Sequence, residues 1–297
     1  MSSSITRGGP SPRRLFVQAV SVLLCLLLLG MPCGSQTRRQ QRHKEDEKEA
    51  RPADVDVVWS AIATVCAERA RDPKGTVPID EMAWQQPLAL NDKRVGAGIE
   101  RARRLLPTAK KLVPAALGRL AAANGLEAGL LGQIASRVQG VTTIKAEVEK
   151  RDNAAVRTND PHSIIFGTIF LAGLRSDEAM LAVLAHELTH VADGPEHALW
   201  PLYDRVGAQA EAAGGMSIPA AAAKELTCEL VGIHVVRAYV GKGGGKKSLR
   251  RRLARAVGKD CVQENLADAT HLSPRETMRM LLMLDPELTR GLVGAGR

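Results

Sequence analysis

Aromatic residues make up only 3% of the 297-residue chain: three Trp, three Phe and two Tyr. A core short of aromatics has to be assembled from Ala, Leu and Val, which suits helices packed through small side chains and argues against a large β-sandwich. Cysteine is scarce as well. Of five, Cys25 and Cys33 lie in the N-terminal 35 residues, leaving Cys66, Cys228 and Cys261. Three thiols permit at most one internal disulfide, without saying which, and no Cys-x-x-Cys pair is present to build a thiolate zinc site. The one long apolar run, Leu15 to Leu29, falls short of the about 20 residues that a spanning helix needs. No internal repeat is visible. Basic residues are plentiful, yet no aromatics interleave with them and no nucleic-acid module is recognisable, so nucleic acid is not an expected partner.

What the chain does contain suits one globular domain behind a targeting segment. Arg7, Arg13 and Arg14 precede the apolar run and Cys33-Gly34-Ser35 follows it, so residues 1–35 read as an export signal or an uncleaved N-terminal anchor. Residues 36–52, with the run Arg38 to Glu49 lacking any apolar side chain, read as a charged disordered linker. The remaining 53–297 divide into a helical part (53–140), a core (141–240), and a basic loop with C-terminal helices (241–297). Such a protein is expected outside the cytoplasm, periplasmic or extracellular. Arg250, Arg251, Arg252 and Arg255 on a short amphipathic helix could attract an anionic membrane surface or cell-envelope polymer, although a plain basic surface is the simpler reading of them.

The chemistry is concentrated in Ala182-Val-Leu-Ala-His186-Glu187-Leu-Thr-His190, which contains His-Glu-x-x-His. On a helix, His186 and His190 lie one turn apart on one face and can reach a single tetrahedral ion, with Glu187 beside them. Ser176 is a candidate N-cap, Asp177 and Glu178 place negative charge in the first turn, and Gly194-Pro195 supplies a stop. The apolar residues around the motif indicate a helix buried on most sides. A buried helix carrying two His and a Glu needs polar partners, and a metal supplies them.

Before this helix, Val141, Ile144, Ala146 and Val148 alternate as a half-buried strand, Asn153 to Val156 follows, and Ser163 to Gly167 is a short apolar strand. The last reads either as an ordinary core strand or as an open edge able to hydrogen-bond an extended peptide. Between 93 and 138, Pro107 and Pro114 are expected to break the chain into short helices, with Gly125 and Gly132 as further interruptions. After Pro195 comes a loop or short helix over 196–203. A long Ala-rich helix then runs from near Pro219 to Val240, bearing Glu225 and Glu229 one turn apart on one face.

Asn153-Ala154, Ile164 to Gly167, and Asp177-Glu178 leading into Ala-Val-Leu-Ala-His186-Glu187-x-x-His190 together resemble the HtpX-like and CAAX-prenyl-protease family of zinc metallopeptidases. The resemblance covers residues 141–193. It implies a zincin-like gluzincin domain, α+β and predominantly helical, with a small sheet beside the zinc helix. It also implies Glu225 as third zinc ligand and Glu229 as support for a ligand imidazole, where family members carry Ala-Asp in place of Cys228-Glu229. The family's several membrane spans are missing, so the chain is similar to soluble, exported members.

The sequence thus points to an exported zinc-dependent endopeptidase acting on polypeptides. His186, His190 and Glu225 would bind zinc, Glu187 would be the general base, and Tyr203 or His271 would help hold the oxyanion. Asp193 and His197 offer a short-spacer alternative to Glu225. The rival functions are a non-catalytic zinc-binding envelope protein and a metal-dependent hydrolase of a non-peptide bond.

Overall fold

The computed structural model describes residues 54–126, 131–241, 246–263, 267–268 and 270–293. The expected signal, the charged linker and most of the glycine-rich loop after Val240 lie outside them. The described residues belong to one compact unit that begins at Pro52, and its mostly helical content with a small sheet is the α+β architecture expected. No helix among the described residues is long and apolar enough to cross a membrane.

Helix α1 (Val55–Arg71) starts at Asp54, whose carboxylate accepts from the Asp56 N–H. It buries Val58, Ala61, Ile62 and Val65 while leaving Val55 and Val57 exposed. A short α2 (Ile79–Ala83) leads to α3 (Lys93–Ala123), which corrects the expectation of broken helices by passing through both prolines without interruption. The reason lies in their placement. Pro107 and Pro114 stand seven residues apart, two turns along one face of the helix, Pro107 exposed and Pro114 half-buried. The Lys110 carbonyl, which loses its usual donor at Pro114, accepts instead from Gln139 Nε2 at 3.3 Å. The break comes at Gly125, where the backbone turns left-handed (φ 68°). Gly132 interrupts nothing, since α4 (Leu131–Gly140) runs through it.

The sheet is formed by β1 (Thr143–Glu147), β2 (Ala154–Arg157) and β3 (Asp160–Gly167) in the order β1-β3-β2. β1 pairs with β3 in parallel, Ile144 opposite Ile164, and β2 pairs with β3 antiparallel, Ala155 opposite Ile165. The apolar strand Ser163 to Gly167 is therefore central, paired on both sides, and not an open edge. Its continuous run of buried residues fits that position. β1 and β2 are the two edges of the sheet, and β2 follows directly on Asp152 and Asn153.

Helix α5 (Thr168–Gly173) links the sheet to α6 (Asp177–Asp193). α6 begins as its sequence indicates: the Ser176 hydroxyl accepts from the Ala179 N–H at 3.1 Å. It ends at Gly194, φ 66°. Most of its residues are buried, because α3, α4, α8 and α9 all pack on it. α7 (Trp200–Gly214) is a full helix where only a loop or short helix was expected. Its Leu202, Tyr203, Val206 and Ala210 face the core, Pro201 stands in its first turn, and Gly215 ends it in the left-handed region. α8 (Ala220–Val240) is the long Ala-rich helix. α9 (Lys246–Val257), a 3-10 turn (Gly258–Asp260), α10 (Pro274–Leu284) and α11 (Pro286–Val293) complete the chain and close over α1. Cys66 of α1 is disulfide-bonded to Cys261, 195 residues away, and Cys228 is a buried free thiol. The arginines of α9 are largely spent internally: Arg250 on Glu68, Arg252 on Glu178, and Arg255 on Asp72.

Candidate metal centre

α6 and α8 cross at close range because Gly232 lies against the α6 backbone. A Cβ there would come within 2.9 Å of the Ala182 carbonyl oxygen. This approach sets Glu225 and Glu229 against the histidines. Glu225 Oε2 is 3.1 Å from His186 Nε2 and 3.4 Å from His190 Nε2, and the two Nε2 atoms are 3.1 Å apart. Three donors about 2.0–2.1 Å from a common tetrahedral centre stand about 3.3 Å from one another, so the triangle has the dimensions of a zinc site. Its chemistry agrees, with two imidazoles and a carboxylate all turning acceptor atoms to one point. Without a cation there, two Nε2 atoms facing each other would need a proton between them.

The electrostatics favour positive charge at that point. Burial opposes a charged His186, but contacts with the Glu225 and Glu229 carboxylates push its pKa up to about 10. Glu225 is likewise buried, which by itself would raise its pKa, yet its contacts with His186 and His190 hold it well below the usual carboxylate range. A divalent cation bound to the same atoms satisfies the same charges without the proton.

Behind His186 stands a second group. Its Nδ1 lies 3.2 Å from Glu229 Oε1, which accepts in turn from Lys259 Nζ at 2.9 Å. Lys259 also reaches Asp260 Oδ1 at 3.2 Å. Burial alone would lower the Lys259 pKa, and its two carboxylates raise it instead, so it stays an ammonium. Lys259 and Asp260 carry no signal in the sequence. They sit in a three-residue turn some thirty positions past Glu229, and no periodicity or motif marks them.

Glu187 is 5% exposed and makes no hydrogen bond or ion pair with any described residue. Burial raises its pKa above the ordinary value. Cys228 Sγ is 3.7 Å from His190 Nδ1, on the far side of the ring from the converging Nε2. His186, His190 and Cys228 are close enough together to hold a metal among themselves. That alternative requires His190 to bind through Nδ1 and a thiol that burial, above all, keeps protonated.

Other expected residues fall differently. Asp193 is buried away from the cluster, accepting from the Leu199 N–H at 2.9 Å and facing His197 and Lys224, so it organises the turn after α6. His197 joins it there with a largely exposed ring. Tyr203 is 1% exposed, its buried hydroxyl has no hydrogen-bond partner among the described residues, and it does not line the cavity at the metal centre. His271, half exposed, stands 3.6 Å from Glu225 Oε2. Its Nδ1 contacts Thr270 Oγ1 at 2.7 Å and Asp268 at 3.1 Å. A cavity of about 340 Å³ opens onto His186, Glu225 and His271 and runs along Asp152 and Asn153, just before the β2 edge.

No family model, curated protein or solved structure matches this chain.

Proposed function

We propose that the chain is an exported zinc-dependent endopeptidase with a zincin-like arrangement, in which His186, His190 and Glu225 hold the ion and Glu187 is the general base. The observation that carries this is the convergence of His186 Nε2, His190 Nε2 and Glu225 Oε2 within 3.4 Å, with an unpaired, buried Glu187 next in sequence. When bound, zinc supplies Lewis-acid polarisation of a carbonyl and makes water nucleophilic near neutral pH.

The chain's own residues do the rest. The Glu187 carboxylate takes a proton from water as its oxygen attacks the scissile carbonyl carbon, then delivers that proton to the departing amide nitrogen as the C–N bond breaks. Burial places its affinity for the proton above that of an exposed carboxylate, which suits both halves of the transfer. Glu229, held by Lys259, fixes the His186 ring through Nδ1, the support that ligand imidazoles commonly have. His271, oriented by Asp268 and Thr270, stands at the cavity wall where a donor is needed for negative charge developing on the carbonyl oxygen. The Cys66–Cys261 disulfide supports an oxidising, extracytoplasmic location.

The test is metal analysis of the full chain together with a peptide-library cleavage screen. Zinc near one equivalent and cleavage are expected, and Glu187→Gln should keep the zinc while lowering turnover by at least about a hundredfold. A chain that retains no metal, or a Glu187→Gln protein that cleaves like the parent, defeats this proposal. Stoichiometric zinc without hydrolysis of any peptide would favour a binding protein on the same scaffold.

A further inference from the structure

The cavity that reaches the metal centre carries more negative charge than the centre uses. Five carboxylates line it, Asp152, Glu225, Glu229, Asp260 and Asp268, against one ammonium, Lys259, in a chain whose net charge is +9. Three of the five have partners. Glu225 faces the two imidazoles, Glu229 is shared by His186 and Lys259, and Asp268 accepts from Thr270 and His271.

Two do not. Asp260 is 4% exposed; its Oδ1 meets Lys259, but its buried Oδ2 has no donor. Asp152, where the chain enters β2, makes no hydrogen bond or ion pair with any described residue. Leaving a buried charged acceptor unpaired costs at least about 1–3 kcal/mol, so a donor arriving from outside the chain gains that much in advance. Burial also lifts the Asp260 carboxyl above its ordinary range, a penalty that an incoming cation relieves.

Beside these charged groups and His186, His271, Asn153 and Thr277, the wall is apolar, with Ile79, Ala83, Ala222, Leu226 and Leu272 among its residues. A bare metal ion gains nothing from such a surface. A side chain with an apolar stem and a cationic head matches both parts of the wall.

We propose that this cavity is a subsite for a Lys or Arg side chain of the substrate, with the stem against the aliphatic wall and the head received by Asp260 and Asp152. The proposal rests on the peptidase function given above and names its substrate class: peptides with a basic residue beside the scissile bond.

The test uses the full-length, zinc-loaded protein and two peptide hydroxamates that differ only in carrying Arg or norleucine, titrated by calorimetry. The Arg compound is expected to bind at least about tenfold tighter. Asp260→Asn and Asp152→Asn should each bring the ratio towards one, and the second, on an exposed approach to the strand, covers the case in which Asp260→Asn fails to fold. Equal affinities, failure of both compounds to bind, or a ratio unchanged in both variants overturns the subsite. A peptide-library screen run beside it separates the two claims. An Arg preference in binding with no cleavage of any peptide defeats the peptidase function and leaves the subsite standing. Cleavage with no basic preference in either assay defeats the subsite alone.

Discussion

His186 and His190 lie one turn apart on α6 and present the same nitrogen to Glu225, yet the ground behind them differs. Behind His186 is a chain of charges, Glu229, Lys259 and Asp260, drawn from two elements far apart in sequence. Behind His190 is Cys228, a buried thiol 3.7 Å from Nδ1 whose ionisation burial suppresses. A carboxylate behind an imidazole fixes its tautomer and raises its basicity, whereas a neutral thiol is a weak partner. The two ligands should therefore differ in how much of the site's affinity depends on what stands behind them.

The sharpest way to break that comparison is to remove what both histidines share. Glu225→Ala should lose its zinc to a mild chelator and with it all cleavage, while Cys228→Ala keeps both. The reverse outcome in metal analysis would put the metal on the thiol side, with His190 binding through Nδ1. Next in size is the disulfide that pins the turn carrying Lys259. In the chain-entropy model a loop of 195 residues is worth about 5 kcal/mol. Reduction, or Cys66→Ser with Cys261→Ser, should lower denaturant stability by that order and leave the thiol side's local packing as the more protected part in hydrogen exchange. Glu229→Ala should weaken zinc binding by about 10–100-fold, the usual effect of losing a carboxylate behind a ligand, as read by competition with a chromophoric chelator. Smallest is the effect of Cys228→Ala on that same affinity, expected below the tenfold that marks the lower end for a carboxylate. Equal losses in Glu229→Ala and Cys228→Ala would erase the distinction between the two sides.

How legible all this was depended on whether the signals were local. α6 could be read because Ser176, Asp177, Glu178, the two histidines and Gly194 fall within one helix and its caps, and the structure places them accordingly. Glu225 and Glu229 could be paired because their spacing fixes a common face. Lys259 could not, since only the packing of the 3-10 turn against α8 brings it to Glu229. The prolines do not break α3 because a proline's effect depends on its surroundings: Pro107 is exposed, Pro114 is half-buried, and Gln139 replaces the donor that Pro114 removes. The strand Ser163 to Gly167 was open to two readings because an all-apolar run does not say how many neighbours it has, and β1 and β2 flank it. Asp152 and Asp260 had no pattern to mark them at all. They matter only because one cavity touches both.

The packing of α1 bears on the order in which the protein takes shape. α1 lies against α9, α10 and α11, the last helices of the chain, and its Cys66 is bonded to Cys261. A chain that emerges from its N-terminus therefore presents this helix long before any of its partners exist. α6, α7 and α8 are close in sequence and meet at little cost in loop closure, so they are the natural place for assembly to begin. The first described helix to be made is then among the last to dock, and the bond that holds it can form only after Cys261, 195 residues further on, has been delivered.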